Sequence, residues 1–235
     1  MKTSPLKPLI VAHRGGKSGI PENSLAAFAW AIEVGAEMIE FDVRQTKDGV
    51  LVVHHDAALA EYPEQPIQSL TYEQIGHLHP LPTLQEVLQS TAGKIQLDIE
   101  LKETGSEIQA SQMALHYCSP EDFLITSFLD SVIAGVKREF PSIYTGLLLE
   151  TNRDPWLRYQ QTQADFLLPH WSLFENGCFP AQWDHPQIRY WVWTVNQREP
   201  FQQFLAHPQV VGIITDYPQL ALEWRQQQQG IPLSL

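Results

Sequence analysis

The sequence is short of cysteine, of cations and of long apolar runs. Only two cysteines, Cys118 and Cys178, occur in 235 residues. Two thiols make at most one pair and cannot build a disulfide framework. They are expected as ordinary buried thiols of a reducing compartment. Lys and Arg number 15 against 27 Asp and Glu, and the formal net charge is −12. Such a chain has no broad electrostatic grip on DNA, RNA or anionic lipid. An anionic ligand would need a few local cations or a bound metal. No apolar run approaches the ~18–20 residues of a membrane span, so stable membrane insertion is not expected. Leu9 to Ala12 is too short for the roughly 7–15-residue apolar stretch of a signal peptide, and the expected location is cytoplasmic. A Ser/Gly-rich linker and an internal repeat of fixed period are both missing, so one domain over residues 1–235 is the simpler reading.

What remains is a chain that is 43% apolar, enough for a sizeable core. Nine short apolar or β-branched runs read as strands: Leu9–Ala12, Met38–Val43, Val50–Val53, Ile95–Leu101, Phe123–Thr126, Ile143–Leu149, Asp165–Leu168, Tyr190–Val195 and Val211–Thr215. Helical patterning fills most gaps. It is clearest from Ser24 to Ile32, with Asn23 or Ser24 as N-cap, and from Thr83, where Thr-x-x-Glu is a capping box. Gln226 to Gln229, just before Gly230-Ile231-Pro232, reads as the frayed end of a last helix. Strand–helix alternation points to a parallel sheet, and eight such units make a TIM barrel of about 250 residues. Nine candidates compete for eight positions. Lys47-Asp48-Gly49 is a tight turn, which makes an antiparallel hairpin, so one member of the pair around it should stand outside the parallel order. A doubly wound open sheet is the alternative, but no Gly-x-Gly-x-x-Gly follows the first strand to support it.

Polar residues interrupt these runs near their C-terminal ends, where a barrel keeps its active site. His13-Arg14-Gly15-Gly16 ends the first run. Glu40 and Asp42, two apart on the second, share one face, with Phe41 turned to the helix layer. Asp98, Glu100 and Lys102 repeat the device on a later strand. Clustered carboxylates are costly to bury without a cation, and an oxygen-rich set suits Mg²⁺, Ca²⁺ or Mn²⁺. His54 and His55 close the third run and point to opposite faces, so at most one enters a common site. Two histidines, three carboxylates and two cations at one mouth suit metal-assisted attack on a phosphoryl centre. Trp191, Trp193 and Val195 share a face near the end of another strand, as core or as an apolar wall. Asp216 either orients a neighbour or caps the final helix. His170, at the end of a late strand, reads as a surface residue or as a further contributor to the site.

The order of these segments resembles the glycerophosphodiester phosphodiesterase family. The resemblance is carried by His13-Arg14-Gly15, Pro21-Glu22-Asn23-Ser24, Glu40-Phe41-Asp42-Val43, Thr46-Lys47-Asp48-Gly49, His55-Asp56, Pro82-Thr83-Leu84, Ile99-Glu100-Leu101-Lys102, Ser127-Phe128, Trp193-Thr194-Val195-Asn196 and Thr215-Asp216-Tyr217-Pro218. It implies a TIM barrel with a short insertion near Ala57 to Leu81, and hydrolysis of glycerophosphodiesters to glycerol 3-phosphate and an alcohol. It implies His13 and His55 as the acid–base pair, one divalent metal on Glu40, Asp42 and Glu100, and Arg14, Lys102 and Trp193 as substrate contacts. It also implies attack by the substrate's own glycerol hydroxyl through a cyclic phosphate, and it selects His55 over His54. The implied partner is a water-soluble small molecule.

Two departures stand out. The family often continues from His-Asp into Leu-x-Arg-Thr-Thr, where this chain has Leu59-Ala60-Glu61-Tyr62-Pro63, and its Asn-Thr is Asn23-Ser24 here. The first bears on the leaving-alcohol side. The competing readings are a lysophospholipase D, which should need an apolar entry, a carboxylate-pair carbohydrate hydrolase without a metal, and an inactive barrel that binds a phosphorylated ligand.

Overall fold

Residues 7–174, 183 and 185–228 are described by a computed structural model of the chain. Cys178 and the stretch from Gln229 onward lie outside the described residues. Nine strands run in chain order: β1 (Leu9–His13), β2 (Met38–Gln45), β3 (Leu51–Val53), β4 (Gln96–Leu101), β5 (Phe123–Ser127), β6 (Tyr144–Leu149), β7 (Phe166–Pro169), β8 (Tyr190–Val192) and β9 (Val210–Thr215). Eight helices lie between or after them: α1 (Leu25–Glu33), α2 (Tyr72–Leu78), α3 (Leu84–Thr91), α4 (Glu107–Tyr117), α5 (Asp130–Glu139), α6 (Pro155–Thr162), α7 (Arg198–Ala206) and α8 (Pro218–Gln228).

The parallel order is β1-β9-β8-β7-β6-β5-β4-β2, and β1 also pairs with β2, which closes the sheet into an eight-stranded barrel. Closure removes the doubly wound alternative. The ninth strand is β3, which pairs antiparallel with β2 across the expected tight turn and stands outside the ring. All nine expected strands are present, with ends shifted by one or two residues except at one place. The run expected over Tyr190–Val195 stops at Val192. Trp193 keeps only an isolated bridge to His170, because the chain leaves the sheet there to form the rim.

Alternation sorts each strand's side chains between two layers. Ile39, Phe41 and Val43 of β2 and Leu97, Ile99 and Leu101 of β4 face outward into a cluster with Phe28, Leu84, Val87 and Leu88. The Phe28 and Phe41 rings stand 5.5 Å apart. Val11, Met38, Leu124, Leu148, Leu168, Trp191 and Ile214 pack together as an interior plug. A Cβ on Gly212 would run into the Trp191 indole, so only glycine leaves room for that plug. The plug forms the floor under the inward side chains at the strand C-termini.

Local signals set the helix starts. Ser24 Oγ accepts from Ala27 N at 3.1 Å. Thr83 and Glu86 form the reciprocal capping box, with Glu86 Oε2 accepting from Thr83 N at 2.8 Å. The 57–81 segment holds α2 and buries Leu59, Ile67, Leu70, Ile75 and Leu81 against Val52 in a small cluster of its own. Cys118 is a free thiol, half-buried rather than buried, and its burial raises its pKa.

Candidate active site

The inward positions at the rim converge on one cavity. Its lining includes His13, Arg14, Glu40, His55, Glu100 and Lys102 on one side, and Phe128, Leu148, Glu150 and Trp193 on the other. The strand register accounts for the first group. His13 lies beside Glu40 across the β1–β2 pair, and Asp42 lies beside Glu100 across β2–β4. Carboxylates on neighbouring strands at matched register must share one volume.

Glu40, Asp42 and Glu100 each place a carboxylate oxygen within 4.8 Å of the other two, and all three are buried. Burial pushes Glu40 well above the usual carboxylate range, helped by Asp42 and Glu100. Burial, then the Asp42 charge, raises Glu100 to about 7. Asp42 moves the other way. Burial would raise it, but Lys102 and Arg14 outweigh that, aided by a hydrogen bond from Asn23 Nδ2 at 2.8 Å. Lys102 Nζ reaches Glu100 Oε1 at 2.6 Å and Asp42 Oδ1 at 3.2 Å. Two local cations therefore leave much of the buried negative charge without an offset. An all-oxygen donor set with that excess fits a hard divalent cation.

The first-strand turn positions Arg14. Arg14 takes positive φ (52°), and Gly15 and Gly16 follow at 88° and 89°. A Cβ on Gly16 would lie 2.8 Å from the Trp30 ring and 2.9 Å from Pro218, so the turn requires glycine there. The turn lets Arg14 N donate to Glu40 Oε2 at 2.9 Å while its guanidinium bonds Glu22 Oε1 at 2.7 Å. Arg14 Nε lies 3.2 Å from Asp42 Oδ2 but makes no aligned hydrogen bond. It is a buried donor without a hydrogen-bond partner among the described residues.

The two histidines each have a carboxylate on Nδ1. His13 Nδ1 is 2.7 Å from Asp216 Oδ1, and His55 Nδ1 is 2.7 Å from Asp56 Oδ1. A carboxylate only accepts, so each Nδ1 carries the proton and each Nε2 is left for other chemistry. His13 Nε2 lies 3.9 Å from Glu40 Oε2. Asp216 also accepts from Lys17 Nζ and Asn196 Nδ2, each at 2.8 Å. Burial would raise Asp216, but the bonds from His13 and Lys17 hold it far below the usual carboxylate range. His54 does not line the cavity. It is half-buried, and burial lowers its pKa.

Arg44 escapes the motif reading. Arg44, two beyond Asp42 on the same β2 face, donates to the His55 carbonyl through Nε at 2.9 Å and Nη2 at 2.7 Å. It also bonds Glu103 at 2.5 Å. The strand period alone would have placed Arg44 on that face. Asp98 is fully buried; burial raises its pKa to about 8, and its Oδ1 accepts from Thr126 Oγ1 at 2.6 Å. Trp193 is held by Nε1 donating to Leu168 O at 2.6 Å. His170, half-buried, sets its ring against Trp193 with centroids 4.8 Å apart.

The glycerophosphoryl diester phosphodiesterase family model matches residues 13–220. A glycerophosphodiester phosphodiesterase of Caldanaerobacter subterraneus is 32% identical over 240 residues, covering 91% of this chain and 96% of the relative. A putative glycerophosphodiester phosphodiesterase of Bacillus subtilis is 29% identical, with coverage of 91% and 96%. Among solved structures, a glycerophosphodiester phosphodiesterase from Parabacteroides distasonis superposes with a TM-score of 0.81 at 24% identity, covering 94% of this chain and 98% of that one. An Oleispira antarctica phosphodiesterase, solved with the product sn-glycerol-3-phosphate, superposes with a TM-score of 0.80 at 24% identity and coverage of 94% and 97%.

Proposed function

The chain belongs to the glycerophosphoryl diester phosphodiesterase family, and from that premise we propose that it hydrolyses glycerophosphodiesters to glycerol 3-phosphate and an alcohol. The observation that carries the reading is the pair of carboxylate-backed histidines, His13 and His55, beside the buried set Glu40, Asp42 and Glu100. Those three carboxylates would hold one divalent cation, Mg²⁺ or Ca²⁺ first and Mn²⁺ next. When bound, the cation supplies positive charge toward the non-bridging phosphate oxygens. Arg14 and Lys102 bind and orient the phosphate group, and Trp193 bounds the organic part of the substrate.

In the first step one imidazole Nε2 accepts the proton of the substrate's glycerol hydroxyl as that oxygen bonds to phosphorus. The bond from phosphorus to the alcohol oxygen breaks, and the other histidine, which enters the step as an imidazolium with a proton on Nε2 as well as on Nδ1, protonates the leaving oxygen. Water then opens the cyclic phosphate, with the two proton transfers reversed. An internal nucleophile accords with a lining in which Thr126, the one hydroxyl side chain among the described residues there, already donates to Asp98. No helix among the described residues is long and apolar enough to cross a membrane. The −12 charge disfavours nucleic acid as a partner, and the reading takes the substrate as a water-soluble diester met in the cytoplasm by a single barrel domain.

The test is release of glycerol 3-phosphate from a panel of glycerophosphodiesters and lysophospholipids. The reading expects release that falls by roughly 10²–10⁴-fold in His13→Ala and in His55→Ala. Folded protein that releases none, or histidine variants that retain full activity, would refute it. Turnover of lysophospholipids alone would instead favour a lysophospholipase D.

A further inference from the structure

Among the described residues that line the cavity, two buried side-chain atoms lack a hydrogen-bond partner: Arg14 Nε and Asp98 Oδ2. Arg14 stands at the rim, just past the end of β1. Asp98 lies deeper. It faces the barrel interior two residues before Glu100 on β4, with Glu40 of β2 as its register neighbour. At about 3.3 Å per residue it sits roughly 6–7 Å below Glu100 along the strand. An extended glycerol chain can cover that depth from a phosphate at the rim. The floor around Asp98 is apolar. Leu148 and Ile214 line the cavity there, and Leu124, the register neighbour on β5, belongs to the interior plug.

Asp98 is 1% exposed and half satisfied. Its Oδ1 accepts from Thr126 Oγ1 at 2.6 Å, which uses that hydroxyl and orients the carboxyl group. It is not one of the three carboxylates whose oxygens lie within 4.8 Å of one another. A buried polar atom left unpaired is costly, and a ligand group that bonds Oδ2 removes the cost. The position selects the kind of group. A phosphate would meet Asp98, Glu40 and Glu100 together and be repelled. A hydroxyl donates to a carboxylate and accepts from a carboxyl group, so it pairs with Oδ2 in either protonation state. The glycerol of the proposed substrate has two hydroxyls. The one next to the phosphate-bearing carbon is engaged as nucleophile, and the terminal one is left to be recognised.

We infer that Asp98 Oδ2 bonds the terminal hydroxyl of the substrate's glycerol, so that the cavity floor selects glycerol diesters over diesters of a simple diol. The inference rests on the phosphodiesterase reading above and assigns it a specificity residue outside the proton-transfer and metal-binding sets. It also excludes lysophospholipids whose terminal oxygen is acylated, because a floor closed by Leu148 and Ile214 has no room for the chain.

The test compares kcat/KM for two 4-nitrophenyl diesters, one of sn-glycerol 3-phosphate and one of propane-1,2-diol 1-phosphate of matching configuration. The second keeps the attacking hydroxyl and lacks the terminal one. With Mg²⁺ present, the wild type should favour the glycerol diester by roughly 10- to 100-fold, the scale of one buried hydrogen bond to a charged group. Asp98→Leu, close in size and apolar like the rest of the floor, should erase most of that ratio, and Asp98→Asn should keep part of it. Asp98→Ala carries the same expectation as Asp98→Leu should the latter fail to fold. Equal use of both diesters by the wild type overturns the inference and leaves the phosphodiesterase reading intact. So does a ratio that survives in Asp98→Leu, an equal loss for both diesters in that variant, or turnover of acylated lysophospholipids. Should folded protein turn over neither diester, the phosphodiesterase reading fails, and calorimetry with glycerol 3-phosphate and propane-1,2-diol 1-phosphate decides the subsite separately. Tighter binding of glycerol 3-phosphate that is lost in Asp98→Leu supports it. Equal affinity, or binding of neither, overturns it.

Discussion

Replacing Asp216 by Asn isolates the contact that joins the first strand to the last. Asp216 is 6% exposed and accepts three hydrogen bonds: from His13 Nδ1 at 2.7 Å, Lys17 Nζ at 2.8 Å and Asn196 Nδ2 at 2.8 Å. An amide is nearly the same size but has one accepting and one donating end. With its nitrogen toward Lys17 and Asn196, donors meet donors. With its nitrogen toward His13, the imidazole must give up its Nδ1 proton and take the opposite tautomer. Either way the Nε2 atom proposed to serve the substrate loses its set orientation or its set protonation. A hydrogen bond to a charged group contributes about 1.5–3 kcal/mol, which corresponds to roughly 10- to 150-fold in rate. We expect kcat for glycerol 3-phosphate release to fall by that factor with KM little changed, measured by a coupled assay on protein whose thermal midpoint is recorded in parallel. Stability supplies a second readout. Asp216 is held below the usual carboxylate value, so its stabilising contribution is present above about pH 4 and is lost as the pH falls below that value. The Asn variant should lack this acid-side loss. A kcat within twofold of wild type would refute the reasoning, since His13 would then need no carboxylate partner.

Other consequences follow from the same geometry. Glu100 and Asp98 sit at about 7 and about 8, raised by burial. A raised acid favours folding below the ordinary carboxylate range and loses that contribution as the pH climbs through its folded value, so chelated protein should lose thermal stability from pH 5 to pH 9. A flat or rising midpoint would contradict the buried triad. Cation binding near pH 6 should release protons, seen by calorimetry in buffers of different ionisation enthalpy; proton-neutral binding would argue against these ligands. Arg44→Met should lower kcat by about tenfold by freeing the His55 main chain, with partial recovery in Arg44→Lys, and an unchanged kcat would remove Arg44 from any positioning role. Gly16→Ala should destabilise by roughly 1–3 kcal/mol through positive φ and contact with Trp30 and Pro218, lowering the thermal midpoint by several degrees. An unshifted midpoint would show that the turn has room to adjust.

Legibility in the sequence follows the range of the interactions. The strands were readable because alternation and β-branched runs are local, and the Asp48-Gly49 turn correctly set one strand aside from the barrel. Glu40, Asp42, Glu100 and Lys102 were readable as faces of single strands, and only the register between β2 and β4 brings them into one volume. The tie between His13 and Asp216 spans the whole chain and exists only because β1 pairs with β9. The Asn23 bond to Asp42 and the Arg44 bonds to His55 depend on how turns fold back, which residue types alone do not encode. The division between His54 and His55 is likewise set by the chain leaving β3. Trp191 and Trp193 look alike in sequence. The end of β8 at Val192 makes the first a core residue and the second a cavity wall.

The central claim is that the carboxylate face of β2 and β4 holds a divalent cation that this diesterase chemistry requires. The direct measurement is glycerol 3-phosphate release by the chelated protein as Mg²⁺, Ca²⁺ or Mn²⁺ is titrated back, with cation affinity measured by calorimetry for wild type and Glu40→Gln. The account predicts activity abolished by chelator, restored saturably by one of these ions, and an affinity at least tenfold weaker in the variant. Full activity in chelator, or equal affinity in Glu40→Gln, would contradict it.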